Sequence, residues 1–139
     1  MASLIYTSCL EDEARGAIDF DSDTFKLLLV NGYTASKSAH TKRSDVTSEV
    51  ANGNGYATGG TTVACTVAKD ASNNRVTLTF AAASWGSATI TATGAVIYKS
   101  RGGASSADEL VGFVDFGGTV SSTGGTFAVS ASVLTLSNP

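Results

Sequence analysis

The chain has 139 residues, 42% of them hydrophobic and only 15% charged, with a formal net charge of −3. That length fits a single domain spanning residues 1–139, which buries about two-thirds of its unfolded surface. The acidic balance argues against direct nucleic-acid binding, which needs a concentrated basic surface, and no apolar run approaches the ~20 residues of a membrane-spanning helix, so neither partner is expected.

Residues 1–16 read as an N-terminal arm and a short helix. No basic segment precedes Glu11, Asp12 and Glu13, so a secretory leader is not expected. Ser8 is placed to cap a helix over residues 9–15, with Glu11 three positions on as in a capping box, and Gly16 suits the C′ position. Asp19, Asp21 and Asp23 then alternate ahead of an almost unbroken apolar run to Val30. That run, apolar on both faces, predicts a strand buried on both sides and closed by Asn31 and Gly32.

Residues 33–60 read as a long polar loop, with one helical turn expected over residues 45–50. Beyond it the pattern predicts strands over 61–68, 75–81, 88–99, 110–116 and 126–136. Trp85-Gly86 and Gly117-Gly118 are expected as interruptions, and an apolar parity change between Val133 and Leu134 as a bulge. Strands at this spacing with glycine-rich turns and no helices between them predict an all-β fold, an antiparallel β-sandwich or barrel.

Candidate chemistry is sparse. The three early aspartates begin like an EF-hand calcium loop, but Thr24 and Val30 stand where glycine and glutamate are required, so they are expected as a polar turn accepting backbone N–H bonds. His40 is the only histidine, and no G-x-S-x-G elbow accompanies it. Gly55–Gly60 has P-loop spacing, but Thr61 replaces the lysine. Asp108, Glu109 and Asp115 show no spacing that pairs them as a glycosidase requires. Cys9 and Cys65 are expected as free thiols, short of the further ligands a zinc site needs. The expectation is a protein that is not an enzyme and uses no cofactor or metal.

Contact is the better-supported theme. Tyr33, Tyr56 and Trp85 flank glycine-rich loops, where they either anchor a partner or plug the ends of a sandwich. Lys37, Lys42 and Arg43, beside His40, form a small basic cluster that either faces an acidic partner or is a solvated loop.

Several motifs recur together in order. They are Leu10-Glu-Asp12, Gly16-Ala-Ile-Asp-Phe-Asp-Ser-Asp-Thr-Phe-Lys26, Tyr33-Thr34 with His40 downstream, and Asp45-Val-Thr-Ser-Glu-Val50. Gly53-Asn-Gly-Tyr-Ala-Thr-Gly-Gly60, Gly94-Ala-Val-Ile-Tyr-Lys99 and Val114-Asp-Phe-Gly117 follow. Together they cover most of the chain and resemble the small cement proteins that decorate the heads of tailed double-stranded DNA phages. The resemblance implies a jellyroll-like sandwich, assembled in the host cytoplasm and located in the virion on the outer capsid surface. There it would bridge neighbouring major capsid proteins as a homodimer. It carries over no catalytic residues. The alternative is a tail or fibre component binding a host surface, or carbohydrate through Trp85 and Tyr56.

Overall fold

A run of large apolar side chains interrupted only by Lys26 produces the central strand. The computed structural model, which describes residues 3–137, places Phe25–Val30 as a strand (β2) with Phe25, Leu27, Leu28, Leu29 and Val30 all buried. Burying a side chain of that size is worth roughly 1.5–3 kcal/mol. Five on one strand therefore decide where it sits, and it sits inside.

The other strands are β1 (Leu4–Ile5), β3 (Thr61–Val63), β4 (Cys65–Asp70), β5 (Arg75–Phe80), β6 (Ala83–Ala88), β7 (Thr91–Lys99), β8 (Leu110–Ser121), β9 (Gly125–Val129) and β10 (Ser132–Ser137). One helix, α1 (Thr7–Ala14), joins β1 to the turn before β2. A five-stranded sheet runs in the order β1-β8-β7-β2-β3, a three-stranded one β10-β5-β4, and a two-stranded one β6-β9, all pairs antiparallel. The fold is an all-β antiparallel sandwich with one short helix. The chain crosses between sheets after β3, β5, β6, β8 and β9, while β4-β5 and β7-β8 stay together as neighbours.

Alternation on the five-stranded sheet creates two cores. Phe25, Leu27, Leu29, Ala95, Ile97 and Val111 face the two smaller sheets, packing with Leu78, Phe80, Trp85, Phe127 and Leu134. Leu28, Val30, Val96, Tyr98, Leu110 and Phe113 face the other way, and are covered by Tyr6, Tyr33 and Ala35, with Val46 packed alongside. The first part of the long polar loop, residues 33–46, is thus a lid over a second core, while Val50 and Tyr56 farther along it pack into the first.

The same loop completes the outer edge of β2. Phe25 to Leu27 pair with β3, the Leu29 N–H donates to the Tyr56 hydroxyl, the Val50 N–H donates to the Leu29 carbonyl, and the Asn31 N–H donates to the Ser48 carbonyl. Unpaired backbone groups at a buried strand are costly. They draw Glu49 and Val50 alongside β2, with Glu49 bridged to Val30 and Ser48 at φ +62°, in place of the helical turn expected over 45–50. Only Arg43–Asp45, just ahead of it, forms a short 3₁₀ turn.

Other expectations shift for comparable reasons. Backbone pairing carries the extended chain as far as Tyr6, whose N–H donates to Val111. The helix therefore starts before Ser8, and no side chain caps it. Among the described residues the Ser8 hydroxyl is buried without a hydrogen-bond partner. At the other end Gly16 has φ +77°, its N–H donates to Glu13 and that of Ala17 to Asp12, the Schellman arrangement the glycine predicted.

Residues 61–68 divide between two sheets, leaving Val67 43% exposed rather than inward with Val63. Trp85 lies within β6 opposite Phe127, the irregularity falling after it. β8 continues through Gly117-Gly118, where the register with β7 shifts between Ala92 and Gly94. The parity change near Val133 is no bulge. β9 and β10 belong to different sheets, odd residues point inward in one and even residues in the other, and the switch falls at Ser130 and Ala131.

Gly60 lies directly against the backbone of β2. It has φ +76°, and a Cβ there meets the Leu27 carbonyl oxygen at 1.8 Å. Gly60→Ala combines left-handed strain with a backbone clash, and is expected to cost about 3 kcal/mol or more. Urea denaturation of the variant beside the parent measures this directly.

Candidate functional site

The structure separates the seven candidate contact residues into two groups. Tyr33, Tyr56 and Trp85 are buried. Tyr33 packs edge-on to Phe113 in the second core, and Tyr56 lies against Trp85, which meets Phe127. Of the two readings open for these aromatics, burial matches the one in which they plug the sandwich. The Tyr56 hydroxyl also donates to Glu49 at 2.7 Å, and Glu49 accepts the Gly59 N–H.

His40 is half-buried on the lid. Its Nδ1 accepts the Ser36 N–H at 3.1 Å, which puts the ring proton on Nε2. The Tyr33 hydroxyl therefore donates to the same nitrogen at 2.6 Å, and Tyr6 lies 3.0 Å behind it. Burial, reinforced by the Tyr33 contact, raises the Tyr6 pKa well above the ordinary phenol range. The chain Tyr6–Tyr33–His40 pins the lid to the N-terminal arm.

Lys42 and Arg43 belong to a charged clasp at one end of the sandwich. Its centre is Asp108 and Glu109, both buried although carboxylates. Arg43 Nε bonds Asp108 Oδ2 at 2.8 Å while its guanidinium lies 5.0 Å over the Tyr98 ring. The other Asp108 oxygen accepts the Arg101 N–H at 2.9 Å. Glu109 takes Arg101 through both oxygens, at 2.8 and 2.6 Å, with Lys42 3.9 Å away. The Arg101 fork, opposed by burial, holds the Glu109 carboxyl below the usual glutamate range.

Lys99 extends the clasp to the aspartate turn, bonding Asp23 at 2.8 Å and the Ala17 carbonyl at 2.6 Å. Within that turn Asp19 accepts the Asp21 N–H and Asp23 accepts the Asp19 N–H, so these carboxylates form the polar turn expected of them. Burial pushes Asp23 upward, but the Asp19 N–H and Lys99 bring it below its ordinary value. Burial raises Asp12 on the facing helix, against the pull of Lys42.

Chemically this arrangement holds segments together. Each central carboxylate is neutralised in fixed geometry by a guanidinium, joining the lid, the β7–β8 connection and the N-terminal turn. Lys99, Arg101, Asp108 and Glu109 were not singled out as contact residues from the sequence. The available signal was two adjacent acids leading directly into the apolar run Leu110-Val111, where an unpaired charge would be expensive.

An apolar seam lies away from the clasp. Two grooves of ≈ 430 and ≈ 500 Å³ adjoin along β10, sharing Ser3, Val133 and Leu134. Three of the four exposed large hydrophobic residues, Leu10, Val120 and Val133, line them. Lys37, exposed on the lid, is the only charged lining residue among the described residues. No protein-family model, curated protein or solved structure matches the chain.

Arg43→Ala strips Asp108 of its buried partner and is expected to cost about 3–5 kcal/mol, whereas the double variant Arg43→Met with Asp108→Leu recovers most of that. Denaturant unfolding of the three proteins reads the difference. For Glu109 the folded pKa lies below the ordinary value of 4.5. Its contribution is therefore complete above that value and is lost as pH falls through the folded pKa. Glu109→Gln should be less stable at pH 7 and show a shallower loss below about pH 4.5, measured by unfolding across a pH series.

Proposed function

We propose that this chain is a structural virion protein that binds the outer surface of a tailed-phage capsid and cements neighbouring major capsid proteins against internal DNA pressure. The resemblance in ordered motifs supplies the specific identity. The structural observation that carries the interaction reading is the division of labour on the surface. The buried carboxylates are paired internally, whereas Leu10, Val120 and Val133 converge exposed on one seam. Exposed apolar side chains gathered in one place mark binding surfaces more often than accidents.

The rest of the molecule suits such a role. A sheet buried on both faces and clasped at one end is a stiff plate, and a stiff plate loses little entropy when it docks. Weak contacts repeated over an icosahedral lattice, and doubled by a homodimer, add up to high avidity. Neither catalysis nor a cofactor enters this account, and the partners are the major capsid protein and a second copy of the chain.

The alternative, a tail or fibre component that stacks carbohydrate on Trp85 and Tyr56, draws no support from those rings, which are 8% and 3% exposed and packed on each other. The deciding experiment mixes purified protein with expanded capsids lacking it. Saturable binding to the heads, with a higher temperature of DNA release, is the expected result. Absence from heads combined with affinity for host envelope would overturn the proposal.

A further inference from the structure

The seam between β1 and β10 is bounded by two sheet edges. β1 ends the five-stranded sheet and β10 ends the three-stranded one, and both contribute walls to the same groove. β10 reads Ser132-Val-Leu-Thr-Leu-Ser137, six residues without charge, proline or glycine. Natural edge strands are commonly blunted by lysine, proline, a bulge or extreme shortness. β4, at the opposite edge of the same sheet, carries Lys69 and Asp70, and β1 and β3 have only two and three residues. β10 alone of these is long and unprotected, and Val133 on it is 58% exposed.

We propose that this seam is a docking groove into which an extended strand of a partner protein adds antiparallel to β10, alternate apolar side chains entering the groove and one carboxylate lying over Lys37. The backbone donors and acceptors on the outer edge of β10, unpaired among the described residues, supply affinity, and the apolar lining selects alternate side chains. Charge selects the rest. Among the described residues the lining holds no acidic side chain and Lys37 pairs with no carboxylate. Lys37 accompanies the Val133-to-Ser137 part of the groove, so an antiparallel strand brings its N-terminal end there. Taking that strand from the shell protein rests on the capsid reading; its shape and charge do not.

The probe is an acetylated, amidated seven-residue peptide with glutamate first, followed by alternating valine and threonine. Titration into ¹⁵N-labelled protein should saturate with a Kd below about 1 mM and move amide signals of β1 and β10. Replacing the peptide's glutamate by glutamine, or Lys37→Glu in the protein, should weaken binding about fivefold. Val133→Lys should abolish it while the circular dichroism and unfolding midpoint stay unchanged, because Val133 points outward. No saturation, shifts centred elsewhere, or indifference to Val133→Lys overturns the groove. On capsids, a folded Val133→Lys protein that still coats the heads also overturns it. If the parent protein does not coat heads, the capsid reading falls and the peptide result alone decides the groove.

Discussion

A strand that is apolar on both faces has to be covered twice. Phe25, Leu27 and Leu29 on one side of β2, and Leu28 and Val30 on the other, impose that condition on every other part of the chain. The two small sheets supply the first cover. No further strands remain for the second, so residues 33–46 and the N-terminal arm provide it. Long connections without regular structure are uncommon in compact domains. This one is held by what lies beneath it.

The charged clasp follows from the same arrangement. A lid that is not part of a sheet has no ladder of its own to fix its ends. Arg43 reaching buried Asp108, and the Asp45 carboxylate accepting the Thr41 and Lys42 N–H groups, fix one end. Tyr56, Glu49 and the Tyr98 hydroxyl on the Gly59 carbonyl fix the other. Buried ion pairs of this kind contribute little net stability beside a well-packed apolar substitute, yet breaking one is expensive. Their effect is to specify one position for the lid. With the charges committed there, the seam along β10 is left apolar and open, and that contrast is what makes it a contact surface.

Much of this architecture was legible in the residues. Alternation placed Val76, Leu78 and Phe80 inward, two-faced burial marked β2, and Gly16 predicted its helix terminator. What escaped were features set by distant partners. Ser8 satisfies every local requirement of a cap, but pairing of the arm with β8 starts the helix ahead of it. Residues 45–50 have helical spacing, but the edge of β2 lies alongside and binds Ser48, Glu49 and Val50 instead. The sheet switch at Ala64 leaves no compositional mark, and the one at Ser130-Ala131 shows in sequence only as the change of apolar parity, which a bulge would also produce. For the candidate site, residue type left Tyr33, Tyr56 and Trp85 open as partner anchors or as plugs of the sandwich, and burial matches the plugs. The exposed apolar positions are the smaller Leu10, Val120 and Val133, which look in sequence like ordinary strand residues.

Residues 33–60 are an ordered cover along β2 rather than a loose loop. Native-state hydrogen exchange tests this most directly, because the amides of Asn31, Val50 and Gly59 donate to lid or sheet acceptors. Protection of these amides approaching that of Leu28 and Val96 in the central strands is the predicted result. Exchange of Val50 and Gly59 at rates near those of an unstructured peptide, with β2 still protected, would contradict it.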